Sequence, residues 1–190
     1  MATHRSSTRV GGEIITLLTD RVHELESKVS VDPLTKVYNR RAMEHYLTRF
    51  IEHNSRENTL PMHLMMVDID NFKSVNDTYG HIAGDKVLIL LANLLKKTLR
   101  DSDKIFRYGG EEFIVALNRV SAEAVNVVAE RISALVRKNR LKYRDREFGV
   151  TLSLGVTVLQ PGDTIESLLE RADKALYKAK ANGKDQICVE

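Results

Sequence analysis

The 190-residue chain holds a single cysteine, Cys188, so no internal disulfide can form, and such sparing use of thiols fits a reducing cytosol. Long hydrophobic runs are missing as well. The longest, Val87 to Leu95, is interrupted by Asn93 and falls short of the ~20 residues that span a bilayer. No charged-then-apolar segment with a cleavage site opens the chain, so no signal peptide is expected. Charge of one sign is not in excess either: a net charge of +3 is too small to attract nucleic acid by bulk electrostatics. There are no internal repeats and no low-complexity tracts. What is there, 43% apolar and 29% charged residues, describes one globular domain plus some extra length. A cytoplasmic protein without direct membrane contact is expected, or the cytoplasmic output part of a larger or membrane-bound sensor.

Residues 1–12 are polar and end in Gly11-Gly12, which reads as a disordered start. Over 13–30, Ile15, Leu18, Val22, Leu25 and Val29 recur at spacings of 3, 4, 3 and 4, an a/d seam. Two heptads suit either an amphipathic helix lying on its own domain or a stalk that pairs with a second copy. Asp32-Pro33 ends the helix and detaches it from the globular part, which favours the stalk. Residues 1–30 are therefore read as a disordered start and helical stalk or linker, and 31–190 as the globular domain.

Within that domain the spacing predicts a helix over Arg40 to about His53, a polar loop over 54–61 and a buried strand from His63 to Ile69. A helix over Gly84–Leu99 follows. Next come a hairpin at Gly109-Gly110, a helix from a Ser121 cap to about Lys138, and an alternating strand over Phe148–Leu159. Asp163, with Glu166 in capping-box spacing, is expected to start a helix that Asn182-Gly183 stops, before a short strand over Gln186–Val189. This order predicts an α+β sandwich of ferredoxin-like type, its central, mostly antiparallel five-stranded sheet flanked by helices and preceded by the N-terminal helix.

Three groups of residues carry chemistry. The apolar strand Met65-Met66-Val67-Asp68-Ile69-Asp70 acquires two carboxylates at its end, where burial is costly unless something neutralises them. The turn Arg107-Tyr108-Gly109-Gly110-Glu111-Glu112-Phe113 supplies two more, at glycines that reach φ > 0 and let a ligand approach. Were the hairpin to lie beside the strand, Asp68 and Glu111 would converge on one or two Mg²⁺ ions, which want hard oxygen ligands and substrate phosphates. Taken singly, such acids are more often solvated charges.

The second group, Asn76 to Asp85, pairs an amide with a carboxylate, as recognition of guanine requires, although Asn, Gly and Asp also serve as ordinary caps and turns. Lys73 follows the acidic strand directly and could reach a phosphate. Lys180 and Lys184 flank the end of the last helix, where lysines also complement the helix dipole. The third group, Arg100-Asp101-Ser102-Asp103, is by itself an ordinary charged helix end.

Together, Asp32-Pro33-Leu34-Thr35 through Asn39-Arg40-Arg41, Asp68-Ile69-Asp70-Asn71-Phe72-Lys73 and the Gly-Gly-Glu-Glu-Phe turn resemble the GGDEF family of diguanylate cyclases over about residues 31–190. The resemblance implies a nucleotidyl-cyclase-like fold and condensation of two GTP into cyclic di-GMP with Mg²⁺, Mn²⁺ being a substitute. It makes Asp68, the Ile69 carbonyl and Glu111 metal ligands. Glu111, Glu112 and Lys73 become the catalytic set. Asn76, Asp85, Phe72, Lys73, Lys180 and Lys184 become the substrate-binding set, with lysine at position 184 where the family often has arginine and its bidentate fork. Arg100 and Asp103, with Arg131, match an inhibitory site for the product. A homodimer through the N-terminal helix is implied, since one domain carries one guanine pocket and one acidic cluster. The competing reading is a catalytically silent receptor for GTP or cyclic di-GMP. A mononucleotide cyclase would need a different base-recognition motif.

Overall fold

The apolar run that ends in two acids lies in the middle of the sheet. In a computed structural model that describes residues 30–54 and 61–190, the elements begin with β1 (Tyr38–Asn39), α1 (Arg40–Asn54), β2 (Met62–Ile69), α2 (Phe72–Tyr79) and α3 (His81–Thr98). They continue with β3 (Lys104–Gly109), β4 (Glu112–Asn118), α4 (Ala122–Lys138), β5 (Leu141–Tyr143) and β6 (Arg146–Phe148). β7 (Leu152–Val158), α5 (Ile165–Ala181) and β8 (Ile187–Val189) complete the domain. The start and stalk expected over 1–30 lie outside the described residues, Ser30 excepted.

One sheet has the strand order β1-β3-β4-β2-β7-β8. β2 is antiparallel to both β4 and β7, β3 is antiparallel to β4, and the outer pairs β1–β3 and β7–β8 are parallel. The α+β sandwich read from the sequence is the fold observed. The sheet has six strands where five were expected, the additional one being the two-residue β1 that leads into α1.

Side chains alternate between the faces of a strand, and β2 shows what each face meets. Met65, Val67 and Ile69 join a core with Val87, Leu91 and Leu95 of α3 and Val125, Ala129 and Ile132 of α4. Met62, Leu64 and Met66 join Met43 and Leu47 of α1 and Leu168, Ala172 and Leu176 of α5. With helices over both faces, every residue of the strand is buried, so the sequence shows an unbroken apolar run rather than an alternation. Each fully buried Leu, Met or Val stabilises by roughly 1.5–3 kcal/mol relative to exposure, and both layers draw on this strand. α5 lies hard against β7: a Cβ on Gly155 would fall 2.3 Å from the Ala172 carbonyl oxygen, so only glycine allows this approach.

Three local expectations are corrected. The segment from Asn76 to Asp85, read as base recognition or as caps and turns, is helical on both sides of Gly80: Asn76 to Tyr79 end α2, and α3 begins at His81 rather than Gly84. Residues 141–148 pair as a small separate hairpin, β5–β6, so the strand expected from Phe148 begins only at Leu152. The cap of α5 is Thr164 rather than Asp163: its side chain accepts from Ser167 N while Ser167 Oγ accepts from Thr164 N, a complete capping box. Asp163 sits just outside it because the Arg171 guanidinium offers its carboxylate two charge-assisted bonds, at 2.9 and 2.6 Å. Among the described residues, no helix is long and apolar enough to cross a membrane.

Candidate active site

Asp68 continues the even-numbered face of β2 that packs on α5. Strand register sets it opposite Glu112 on β4 and Ser153 on β7. Like charges directly opposite in a sheet destabilise it, and Asp68 is also shielded from water, at 6% exposed, while Glu112 is half-buried. Burial pushes the Asp68 carboxyl above its ordinary pKa. Glu111 and Asp70 add to that push, and the Lys180 ammonium, 2.8 Å from Oδ2, opposes it. Glu112 is raised too, by burial first and then by Asp68, with Glu111 and Asp173 contributing and Lys180 again opposing. One ammonium thus serves a cluster of acids that it does not neutralise, an arrangement that favours a cation.

The hairpin tip brings Glu111 there. Gly110 takes φ +45°, the register shifts between Arg107 and Gly109, and the β3–β4 turn leaves Glu111 at its apex. The Arg107 guanidinium holds the tip by donating to the Gly110 carbonyl at 2.9 and 3.2 Å, and reaches the Asp32 carboxylate at 3.1 Å. Burial alone would raise the Asp32 pKa. Hydrogen bonds from the Thr35 hydroxyl and backbone N–H and from Arg107 outweigh it and lower the pKa. The domain's opening loop and its acidic turn are therefore tied together.

Asp68, Glu111 and the Ile69 carbonyl offer hard oxygen atoms. No group of three or more His, Cys, Asp or Glu side chains forms a closed metal cage among the described residues. Two carboxylates and a carbonyl would leave the rest of a divalent ion's coordination shell to water and phosphate. The surplus of negative charge fits such an ion.

Asp70, two residues on, differs. Its carboxylate accepts from Thr151 Oγ1 and Ser153 Oγ, both at 2.6 Å, and from the backbone N–H of Asp185 at 3.0 Å. This ties the end of β2 to β7 and to the turn after α5. Lys184 in that turn donates to Asn71 Oδ1 at 2.6 Å, while Lys73 is exposed in the first turn of α2. The three lysines singled out for phosphate binding thus sit around the end of β2.

Asn76 lies on α2 and Asp85 on α3, and the two helices meet at Gly80, φ +84°. A Cβ on Gly84 would come within 2.0 Å of Asn76 Oδ1, so the missing side chain lets the amide lie against the first turn of α3, beside Asp85. Phe72 is buried against the same glycine, which leaves its backbone, not its ring, for a ligand.

At the opposite end of α3, Arg100 is exposed, while the Asp103 carboxylate accepts from the N–H groups of Arg100 at 3.0 Å and Asn118 at 3.3 Å. Arg131 on α4 donates to the Thr98 carbonyl at 2.6 Å, which brings it to the same corner. A cleft of about 400 Å³ opens there, with Lys36, Lys96 and Lys104 adding positive charge to its wall. Reading the sequence missed Asp173, whose charge adds to the push on Glu112. Its spacing of seven residues from Lys180, two turns along one helix face, is the signal that would have found it.

The family description "Diguanylate cyclase, GGDEF domain" matches residues 29–186. Diguanylate cyclase A of Treponema denticola is 42% identical over 160 residues, 80% of this chain and 43% of that protein. Diguanylate cyclase DosC of Escherichia coli K12 is 38% identical over 177 residues, 92% of this chain and 38% of that protein. The chain thus spans about two fifths of the length of these curated relatives. Among solved structures, the coiled coil and GGDEF domain of DgcB from Caulobacter crescentus, in complex with c-di-GMP, superposes with a TM-score of 0.83 at 28% identity, covering 99% of this chain and all of that one. With so much of its length matched, the chain belongs to the GGDEF-domain diguanylate cyclase family.

Proposed function

We propose that the chain condenses two molecules of GTP into cyclic di-GMP, releasing two pyrophosphates, and that it does so as a homodimer. The observation that carries this reading is the under-neutralised acid cluster, Asp68 and Glu112 opposed across the sheet with Glu111 at the turn beside them. A divalent cation, Mg²⁺ or its substitute Mn²⁺, held by Asp68, the Ile69 carbonyl and Glu111, supplies the charge that a triphosphate needs beside these acids. Asp85 accepts from the guanine N1–H and amino group while the Asn76 amide donates and accepts. Lys73, Lys180 and Lys184 grip the triphosphate. Lys180, now on Asp68, is free to move to a phosphate oxygen once the acids have a cation. Glu112 takes the proton of the attacking 3′-hydroxyl, which bonds to the α-phosphorus of the other GTP and expels pyrophosphate. The same exchange in the other direction closes the ring. Catalysis of this kind is mostly positioning and charge stabilisation.

Two substrates must face each other, and each domain holds one cluster and one guanine pocket. The seam over residues 13–30 would bring two copies together, and the coiled coil in the DgcB structure supports that role. Arg100, Asp103 and Arg131 form a separate inhibitory site for the product; that the DgcB structure is a complex with c-di-GMP supports binding of the product by a domain of this fold. Incubation with GTP and Mg²⁺ followed by product analysis tests the proposal. Cyclic di-GMP is expected, at a rate that rises more steeply than linearly with protein concentration, and it should disappear in a folded Glu111→Ala protein. No product from a demonstrated dimer would instead favour the silent receptor. Titration of cyclic di-GMP should inhibit the parent and leave Arg100→Ala largely active.

A further inference from the structure

Three successive residues after α5 have positive φ: Gly183 at 112°, Lys184 at 64° and Asp185 at 50°. Glycine accepts this freely, but lysine and aspartate in the left-handed region are strained, and such strain persists only where surrounding contacts over-determine it. Here the contacts come from two sides. The Asp185 N–H donates to the buried Asp70 carboxylate at 3.0 Å, which Thr151 and Ser153 hold in turn. From α4, Arg137 Nε reaches both oxygens of the Asp185 carboxylate at 2.8 Å. The turn so fixed delivers Lys184 to Asn71, at the exit of the catalytic strand.

We propose that Arg137, on a helix that contributes nothing else to the active site, is a positioning residue for triphosphate binding. By clamping Asp185 it holds the strained Lys184–Asp185 turn in place, and so sets where the Lys184 ammonium ends. The inference rests on the reading of Lys184 as a phosphate ligand. The cleft that Arg137 lines, about 630 Å³, adds no competing role: Arg137 is paired with Asp185 and Arg140 with Glu147, so its wall is charge-balanced.

Arg137 and Asp185 are each over a third exposed, so breaking the pair should barely change stability. A purely structural role would therefore show little effect, and at most a small fall in Tm. A positioning role moves KM, because a misplaced lysine loses binding to the triphosphate. The test measures GTP saturation kinetics, and calorimetric binding of a non-hydrolysable GTP analogue, for the parent, Arg137→Ala, Arg137→Lys, Asp185→Asn and the Arg137→Ala/Asp185→Asn pair. Asparagine tolerates the left-handed region, so Asp185→Asn removes the clamp and keeps the turn's local preference. Arg137→Ala should raise KM and weaken the analogue by about three- to tenfold, kcat staying within about twofold. Arg137→Lys should recover part of the loss, and the double variant should be no worse than either single one, since both break one interaction. Parental KM and analogue affinity in Arg137→Ala, or fully additive losses in the double variant, would overturn the inference while product formation by the parent upheld the reading of the site. A parent that binds the analogue without making product would overturn that catalytic reading alone, and the binding series would still decide the role of Arg137. A parent that binds no analogue would overturn both.

Discussion

At the mouth of β2, Asp68 and Glu112 face each other across a strand pair and share one ammonium, that of Lys180. At the start of α5, the Asp163 carboxylate accepts from a guanidinium, a hydroxyl and a backbone N–H, those of Arg171, Ser167 and Gln160. Both regions bury carboxylates, and their pKa values move in opposite directions. The Arg171 bonds bring Asp163 down to about 2, while burial holds Asp68 and Glu112 above their ordinary values. An acid that serves the fold comes with its partners. Acids kept for a ligand are left short of them and detract from stability until the ligand arrives. Asp70 bears out the distinction at close range: two residues from Asp68 on the same face, it has three neutral donors.

The sharpest way to break this comparison is to neutralise one acid of the first region. On the proposed reading that Asp68 holds the cation, Asp68→Asn should reduce cyclic di-GMP formation by at least the ~10–100-fold that loss of even an outer-shell partner costs a metal site. Without metal its Tm should match or exceed that of the parent, because a buried charge has gone and the partly exposed Lys180 can turn to water. Thermal unfolding and product assay on the same preparation decide it. A clear loss of Tm would move Asp68 into the structural class with Asp163.

Much of this contrast was legible in the sequence and some was not. The strand ending in Asp68 and the Gly-Gly turn carrying Glu111 stood out because β-branched and other apolar runs, and glycines at a turn, mark hairpins locally. Their meeting is non-local: the acids alone posed it only as a condition, and the register of β2 with β4 meets that condition. α2 was not legible, since Asn76, Asp77 and Gly80 are turn formers and only the packing of Phe72 and Val75 makes eight residues helical. The β5–β6 hairpin was hidden by its charged, largely exposed strands. Asp163 looked like a cap because 163/166 and 164/167 fit the same spacing, and the choice depends on Arg171, a full two turns away. Nor could spacing show that Lys180 reaches Asp68: that contact exists only because Gly155 lets α5 settle onto β7.

The second region breaks in the opposite sense. A carboxyl whose pKa falls from 3.8 to about 2 on folding contributes stability, and Asp163→Asn or Arg171→Ala should cost about 2 kcal/mol near neutral pH. For a domain of this size that is a fall in Tm of about 4–8 °C, with kcat and KM of the folded protein unchanged. The sign with pH is set by the depressed value: the contribution is present above the unfolded pKa of 3.8 and is lost as pH falls towards 2. In that acid range the Asp163→Asn and parent proteins should converge in stability. Persistence of the gap at about pH 2 would show that the loss comes from packing and not from the ion pair.

The smallest effect is also the most direct test of whether Glu112 is held against its preference. Its folded-state pKa is raised, so the folded protein retains a proton that the unfolded chain has given up. Below the ordinary value of 4.5 both states are protonated and there is no penalty; as pH rises through the folded pKa, stability is lost and then levels off. Glu112→Gln removes the titration. The Tm difference between this variant and the metal-free parent should be near zero at about pH 4 and favour the variant by about a degree or two at neutrality, since Glu112 is only half-buried. Saturating Mg²⁺ should close or reverse that gap, because a cation beside Asp68 and Glu111 rewards the charge that Glu112 keeps and glutamine lacks. A gap that is constant across pH and unmoved by Mg²⁺ would mean that Glu112, like Asp163, already has the partners it needs.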